Sequence, residues 1–162
     1  VDFLIAEPVT VLSPPEAGQI SPAVGLTFHH LFCLIEFQII GMGSLSEVLL
    51  MGSASLTCGA GTVDITQDPR DGNYSVNISP GHGNTYASLR LNSSVSLASD
   101  VPVSIYMLVL PGTQETTSIH FNIDGREWVL EKTPPAGGFK SGQKYVVTAD
   151  MIYMEDRGTW YS

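Results

Sequence analysis

The pattern that most restricts the fold is Asp124-Gly125, set between the alternating runs Ile119-His-Phe-Asn-Ile123 and Arg126-Glu-Trp-Val-Leu130. A two-residue Asp-Gly loop suits the type I′ turn, whose backbone twist matches that of the strands it joins. Both loop residues must then take positive φ, and the loop fixes which residues of the two runs face each other. The flanking stretches read the same way. Val103-Ser-Ile-Tyr-Met-Leu-Val-Leu110 stops at Pro111-Gly112, and Phe139-Lys-Ser-Gly-Gln-Lys-Tyr-Val-Val-Thr-Ala-Asp-Met151 closes this third of the chain. Each is a strand ended by a breaker.

Upstream, the apolar phase shows one slip. Leu26, Phe28 and His30 share a face, whereas Leu31, Cys33, Ile35, Phe37 and Ile39 share the other. A slip of one residue reverses every side chain, so a bulge or a bend between two strands is expected near His30. Further strands are read at residues 45–51, at 56–65 (broken by Gly59-Ala-Gly61), at 74–78, at 86–91 and at 95–97. Turns fall at Asp68-Pro-Arg-Asp-Gly72 and Pro80-Gly-His-Gly-Asn84. No long window carries the three-and-four spacing of an amphipathic helix. The expected fold is an all-β, antiparallel sandwich.

A chain of 162 residues suits one domain, large enough to bury roughly 70 per cent of its unfolded surface. Seven Lys and Arg stand against 16 Asp and Glu, a net charge of −9. Such a surface repels phosphate backbones, so no nucleic-acid partner is expected. The run at residues 26–40 is interrupted by His29, His30, Glu36 and Gln38, too short and too polar to span a membrane. The opening Val1-Asp-Phe-Leu-Ile-Ala6 has no Met, basic segment or small-residue cleavage site, which reads as a processed chain or a fragment. Four prolines (Pro8, Pro14, Pro15, Pro22) mark residues 1–22 as the end of an upstream domain or a linker. Residues 23–155 then form the sandwich domain, and 156–162 a C-terminal tail.

The residue types that carry chemistry do not assemble in the sequence. His29 and His30 are adjacent, so in a strand they point to opposite faces and cannot share a metal. One is expected to be buried and hydrogen-bonded, the other near the surface. Asp64, Asp68 and Asp71 do not follow the spacing of a Ca²⁺ loop, and Pro69 disturbs one. Gly59-Ala-Gly61 and Gly81-His-Gly83 are followed by no helix that could hold a phosphate. No serine sits in Gly-x-Ser-x-Gly. Asp124 and Glu127 flank a turn and should be solvated, and Trp128 and Trp160 read as a core and a tail residue. No catalytic residue, metal or cofactor is expected. Cys33 reads as a core residue and Cys58 as a turn residue, and a bridge between them is open.

The order of the pieces carries more than each alone. An apolar strand into Leu110-Pro-Gly112, an Asp-Gly hairpin, then Phe139-x-x-Gly142-x-x-Tyr145-x-x-Thr148 resembles the C-terminal half of the fimbrillin family, the pilus and surface-adhesin subunits of Bacteroidota. Asp2-Phe-Leu-Ile-Ala6 and Leu26-Thr-Phe-His-His-Leu-Phe32 are similar to two further family stretches. The resemblance implies a transthyretin-like sandwich of about seven core strands. It also implies a non-enzymatic subunit, exported as a lipoprotein and displayed on the outer membrane or in a fimbria. Its partners would be other fimbrial subunits, joined by β-strand exchange, and glycans or proteins of host or bacterial surfaces. Residues up to Met154 are expected to continue the strand begun at Tyr145, and the aromatic end to pack back on its own domain; the alternative is that Ile152, Met154, Trp160 and Tyr161 serve as subunit contacts. A surface sandwich that binds glycan or protein without polymerising is the alternative, which a row of exposed aromatic rings would favour.

Overall fold

The computed structural model describes residues 3–7, 9, 23–64 and 76–152, and among these there is no helix. Two sheets form the body. One holds β3 (Cys33–Ile40) between β10 (Val103–Val109) and β13 (Lys144–Asp150). The other runs in the order β12 (Arg126–Lys132), β11 (Thr117–Ile123), β4 (Gly43–Gly52), β9 (Tyr86–Leu97). These make the β-sandwich that the alternation predicts, with seven strands in its two sheets. Smaller two-stranded ribbons pair β1 (Leu4–Ala6) with β2 (Phe28–His30), β5 (Thr57–Cys58) with β8 (Gly83–Asn84), and β6 (Gly61–Val63) with β7 (Val76–Ile78).

Alternation decides what is buried. Cys33, Ile35, Phe37 and Ile39 of β3 face Leu45, Val48 and Leu50 of β4 and Ile119, Phe121 and Ile123 of β11 in one core. Trp128 packs against that core, as its place in β12 requires. The phase slip at His30 is a bend: β2 ends there, Leu31 and Phe32 turn, and β3 begins at Cys33. A second slip is a bulge. Leu45 and Val48 are both buried because Ser46 is an extra residue opposite β11, where its hydroxyl donates to the Asn122 carbonyl at 3.2 Å.

Three details differ from the expected pattern. The runs at 86–91 and 95–97 are one strand, β9, whose residues 91–94 lie opposite Ser46 alone. β13 lies parallel to β3, whereas every other pairing of the sandwich is antiparallel. Parallel neighbours need a long connection, and here the intervening chain is most of the domain. Lastly, β13 ends at Asp150 and does not continue through Met151 and Ile152; Met154 lies outside the described residues. Met151 donates one more bond to the Ile40 carbonyl, then the Asp150 carboxylate accepts from the Ile152 amide at 3.0 Å and turns the chain. Cys33 and Cys58 are free thiols. Cys33 is fully buried, and burial pushes its thiol up to about 12.

The hairpin has the geometry its sequence demands. Asp124 and Gly125 have φ of 51° and 76°, and the Asp124 carboxylate also accepts from the Ser44 amide at 3.0 Å. Nothing lies within 4 Å of a Cβ added at Gly125. Gly125→Val should therefore act through backbone strain alone and cost about 1–3 kcal/mol. A urea midpoint unchanged from wild type would contradict it.

Candidate interaction surface

The ordered motif that carries the family resemblance is one object in space. Gly112, closing the Leu-Pro-Gly turn, exchanges two backbone hydrogen bonds with Phe139, at 2.8 and 2.9 Å. Phe139 stacks edge-on against Tyr145 with ring centroids 5.2 Å apart. The Tyr145 hydroxyl accepts from the Lys140 amide and donates to the Gly138 carbonyl. Gly142, at φ 69°, turns the chain so that its amide reaches the Phe32 carbonyl, and Ser141 donates to the Leu31 carbonyl. The motif anchors the start of β13 beside the start of β3.

That anchoring leaves β13 at the border of its sheet. Among the described residues no strand pairs with its other side. β9 and β10 approach each other on the opposite side of the sandwich. On the β12 and β13 side the layers part around a cleft of ≈ 270 Å³, lined by core side chains such as Ile35, Leu50, Ile119 and Phe139 and partly covered by Pro134 and Pro135. Val146 is 53 % exposed at its rim. A bare strand edge beside an apolar cleft is the arrangement that accepts an added strand.

The outer face of the same sheet carries an unexpected charge. Glu36 sits mid-way along β3, points away from the core and is still only 5 % exposed. Its carboxylate accepts from Ser104 Oγ at 2.8 Å, Gln38 Nε2 at 3.1 Å and Tyr106 OH at 3.3 Å, and pairs with Lys144 Nζ. One side chain thus ties all three strands together. The Lys144 ammonium, then the Gln38 and Ser104 donors, lower Glu36 from 4.5 to about 2, and the Glu36 bond raises Lys144 above 10.5. A depressed carboxylate contributes its stability in full above its ordinary value and loses it as the pH falls towards 2. A raised ammonium contributes below 10.5 and loses it as the pH rises beyond. Thermal melts of Glu36→Gln should be less pH-dependent than wild type between about pH 4.5 and 2. Equal slopes for the two proteins would contradict this.

Beside this network lies a groove of ≈ 460 Å³ bordered by Phe32, Leu34, Tyr106, Leu108, Gln143 and Lys144. Lys144 Nζ lies 5.7 Å from the Tyr106 ring centroid, and Tyr106 is 51 % exposed. Tyr86 is the other well-exposed ring of the sandwich among the described residues, and it lies on the other sheet. The two do not form a row.

Of the expected contact residues, Ile152 is exposed in the turn after β13, and Met154, Trp160 and Tyr161 lie outside the described residues. Asp68 and Asp71 also lie outside them, as does Trp160's role as a tail residue. His29 is half-buried with its Nε2 2.7 Å from Glu7 Oε1, and His30 is exposed, so the imidazoles part as adjacent strand residues should. Sequence reading missed one polar cluster. Ser118 Oγ lies 3.2 Å from His120 Nε2, and His120 Nδ1 lies 2.9 Å from Glu127 Oε1. Glu127 is solvated as expected but paired across the hairpin. The order is that of a hydrolase relay, but β11 is an inner strand whose amides are engaged by β12 and β4. No amide pair is left there to receive an oxyanion, and the cluster borders neither groove.

No family model matches the chain, and no curated protein is similar to it in sequence. Two crystal structures, each of a "putative cell adhesion protein", are similar in shape. The one from Bacteroides uniformis ATCC 8492 covers 94 % of this chain at 14 % identity with a TM-score of 0.57. The likeness is one of fold. The one from Bacteroides fragilis NCTC 9343 covers 80 % at 15 % identity, and its TM-score of 0.43 carries no weight. The chain spans 61 % of the length of the first protein and 44 % of the second.

Proposed function

We propose that this domain is a structural subunit or adhesin of a bacterial cell-surface fimbria, held to its neighbours by β-strand addition. The observation that carries this is the bare edge of β13 beside a cleft that reaches the core. An incoming strand there would satisfy main-chain groups along the edge while its alternate side chains enter the cleft. The fold shared with the Bacteroides uniformis protein described as a "putative cell adhesion protein" supports the surface role. Ile152, which follows β13, would be a contact with the neighbour, as would Met154, Trp160 and Tyr161 further along the sequence. Display as a lipoprotein on the outer membrane and the absence of enzymatic activity belong to this reading.

Successive amides of a strand point to opposite edges, which gives a direct test. Of Val146→Pro and Val147→Pro, one removes a bond to β3 and the other an amide facing outwards. The second should leave the monomer nearly as stable as wild type yet abolish fibres seen by electron microscopy of cells making the full-length protein. Normal fibres from that variant would sink strand addition at β13. The alternative, a sandwich that binds glycan without polymerising, has the groove beside Tyr106 in its favour, and full-length protein that forms no fibres under any processing condition would favour it.

A further inference from the structure

We propose that the groove beside Tyr106 and Lys144 is a carbohydrate site, and that it takes a neutral pyranose ring. The proposal rests on the surface reading only for where the sugar would be met; the binding itself is a property of the domain. Four observations lead to it. First, Glu36 is buried on a face of the sheet that looks away from the core, and packing of the sandwich does not call for it there. What its carboxylate does is hold two groove residues, through Tyr106 OH and Lys144 Nζ. Groups fixed in this way lose little freedom when a ligand arrives.

Second, the materials of the groove suit a sugar. Half of the Tyr106 side chain is open, and an aromatic ring offers a face to the C–H side of a pyranose. Leu34, Leu108 and Phe32 extend the apolar surface, while Lys144 and the Gln143 amide stand beside it as hydrogen-bonding groups. An ammonium has three donors and Glu36 engages one, which leaves two for hydroxyls. Third, the size fits: ≈ 460 Å³ lies within the range of roughly 300–1,000 Å³ usual for small-ligand clefts.

Fourth, charge selects among sugars. Lys144 is already matched by Glu36, and the other basic side chain on the groove is His30. The chain as a whole carries −9. Sialylated, uronic or sulfated sugars would approach against that field and meet no unpaired lysine or arginine in the groove. A neutral ring meets no such penalty. Glu36 is here a positioning residue, because it acts through Tyr106 and Lys144.

The test is an amide-resonance titration of the ¹⁵N-labelled chain with methyl glycosides of galactose, glucose, mannose and N-acetylglucosamine, with sialic acid as the anionic comparison. At least one neutral glycoside should give saturable shifts centred on Leu34, Tyr106, Leu108 and Lys144. Tyr106→Ala should weaken it about tenfold, the order of one lost aromatic contact, whereas Tyr106→Phe should keep the ring and most of the affinity. Glu36→Gln should weaken binding while the fold, read from the rest of the spectrum, persists. If Glu36→Gln does not fold, the Tyr106 pair decides. No saturable shifts with any neutral glycoside, shifts centred elsewhere, or tighter binding of sialic acid would each overturn the proposal. Its fate is separable from that of the fimbrial reading. Fibres without groove binding would leave only strand addition standing, and groove binding without fibres would leave only the sugar site.

Discussion

Phe37→Ala is expected to cost about 3–5 kcal/mol, the usual loss for a fully buried phenylalanine. Phe37 has no exposed surface and occupies the middle of β3, the central strand of its sheet. Both flanking strands are in register with it there, Ile105 on one side and Val147 on the other. Its neighbours can collapse into the void only by bending those strands, so the cavity should persist. Domains of this size are stable by about 5–15 kcal/mol. The variant should therefore be marginal at 37 °C, with a urea midpoint far below that of wild type and a similar slope. Tyr106→Ala, on the outer face of the same sheet, is the comparison and should move the midpoint less, since it removes one of the donors to Glu36 but opens no cavity in the core. A loss for Phe37→Ala no larger than that of Tyr106→Ala would mean that the core is not built as described.

Gly138→Ala should be nearly as damaging for a different reason. Gly137 and Gly138 both have positive φ, 79° and 78°. Around Gly137 there is room, the nearest group being the flexible Lys140 Cε at 3.9 Å from an added Cβ. At Gly138 the same Cβ would lie 2.7 Å from the Thr113 Cα and closer still to the Gly112 carbonyl oxygen. The obstacle is backbone, and it belongs to the bridge that Gly112 makes with Phe139. Gly137→Ala carries only the left-handed backbone penalty, about 1–2 kcal/mol. Gly138→Ala adds the steric term, typically about 1–3 kcal/mol more. It should also loosen Phe139 and Tyr145 together, visible as a loss of near-ultraviolet dichroism. Equal stabilities for the two variants would remove the steric argument.

Local chemistry explains why so much of the sandwich was legible. Alternation marks β3, β10, β11 and β12 because each has one face in the core, and the Asp124-Gly125 loop sets the pairing of β11 with β12 without any distant information. Once that pairing is fixed, His120 and Glu127 fall diagonally across it, so their contact could have been found from the turn alone. The parallel placement of β13 could not. Nothing in Lys144 to Asp150 states which strand it will lie beside. Glu36 was hidden for the same reason. In the sequence it is a polar break in an apolar run; its partners Ser104, Tyr106 and Lys144 are each far along the chain, and only the assembled sheet brings them to it. The motif from Leu110 to Thr148 has its cause in the fold: Gly112 bridges to Phe139, Phe139 stacks on Tyr145, and Gly142 turns the chain between them to reach Phe32.

The parallel return of β13 has a kinetic side. Leu34 pairs with Lys144 and Ile40 with Asp150, each pair 110 residues apart. The β11–β12 hairpin can form from local contacts, whereas the three-stranded sheet must wait for the last strand to be made and to travel back to one of the first. Such contacts slow folding, because the entropy of closing a long loop is lost before any pairing offsets it. During synthesis or passage through a pore with the N-terminus leading, β3 would remain open along one side until residue 150 is free. For that interval the nascent domain presents a bare apolar strand, and a chaperone or a neighbouring chain could reach it before β13 does.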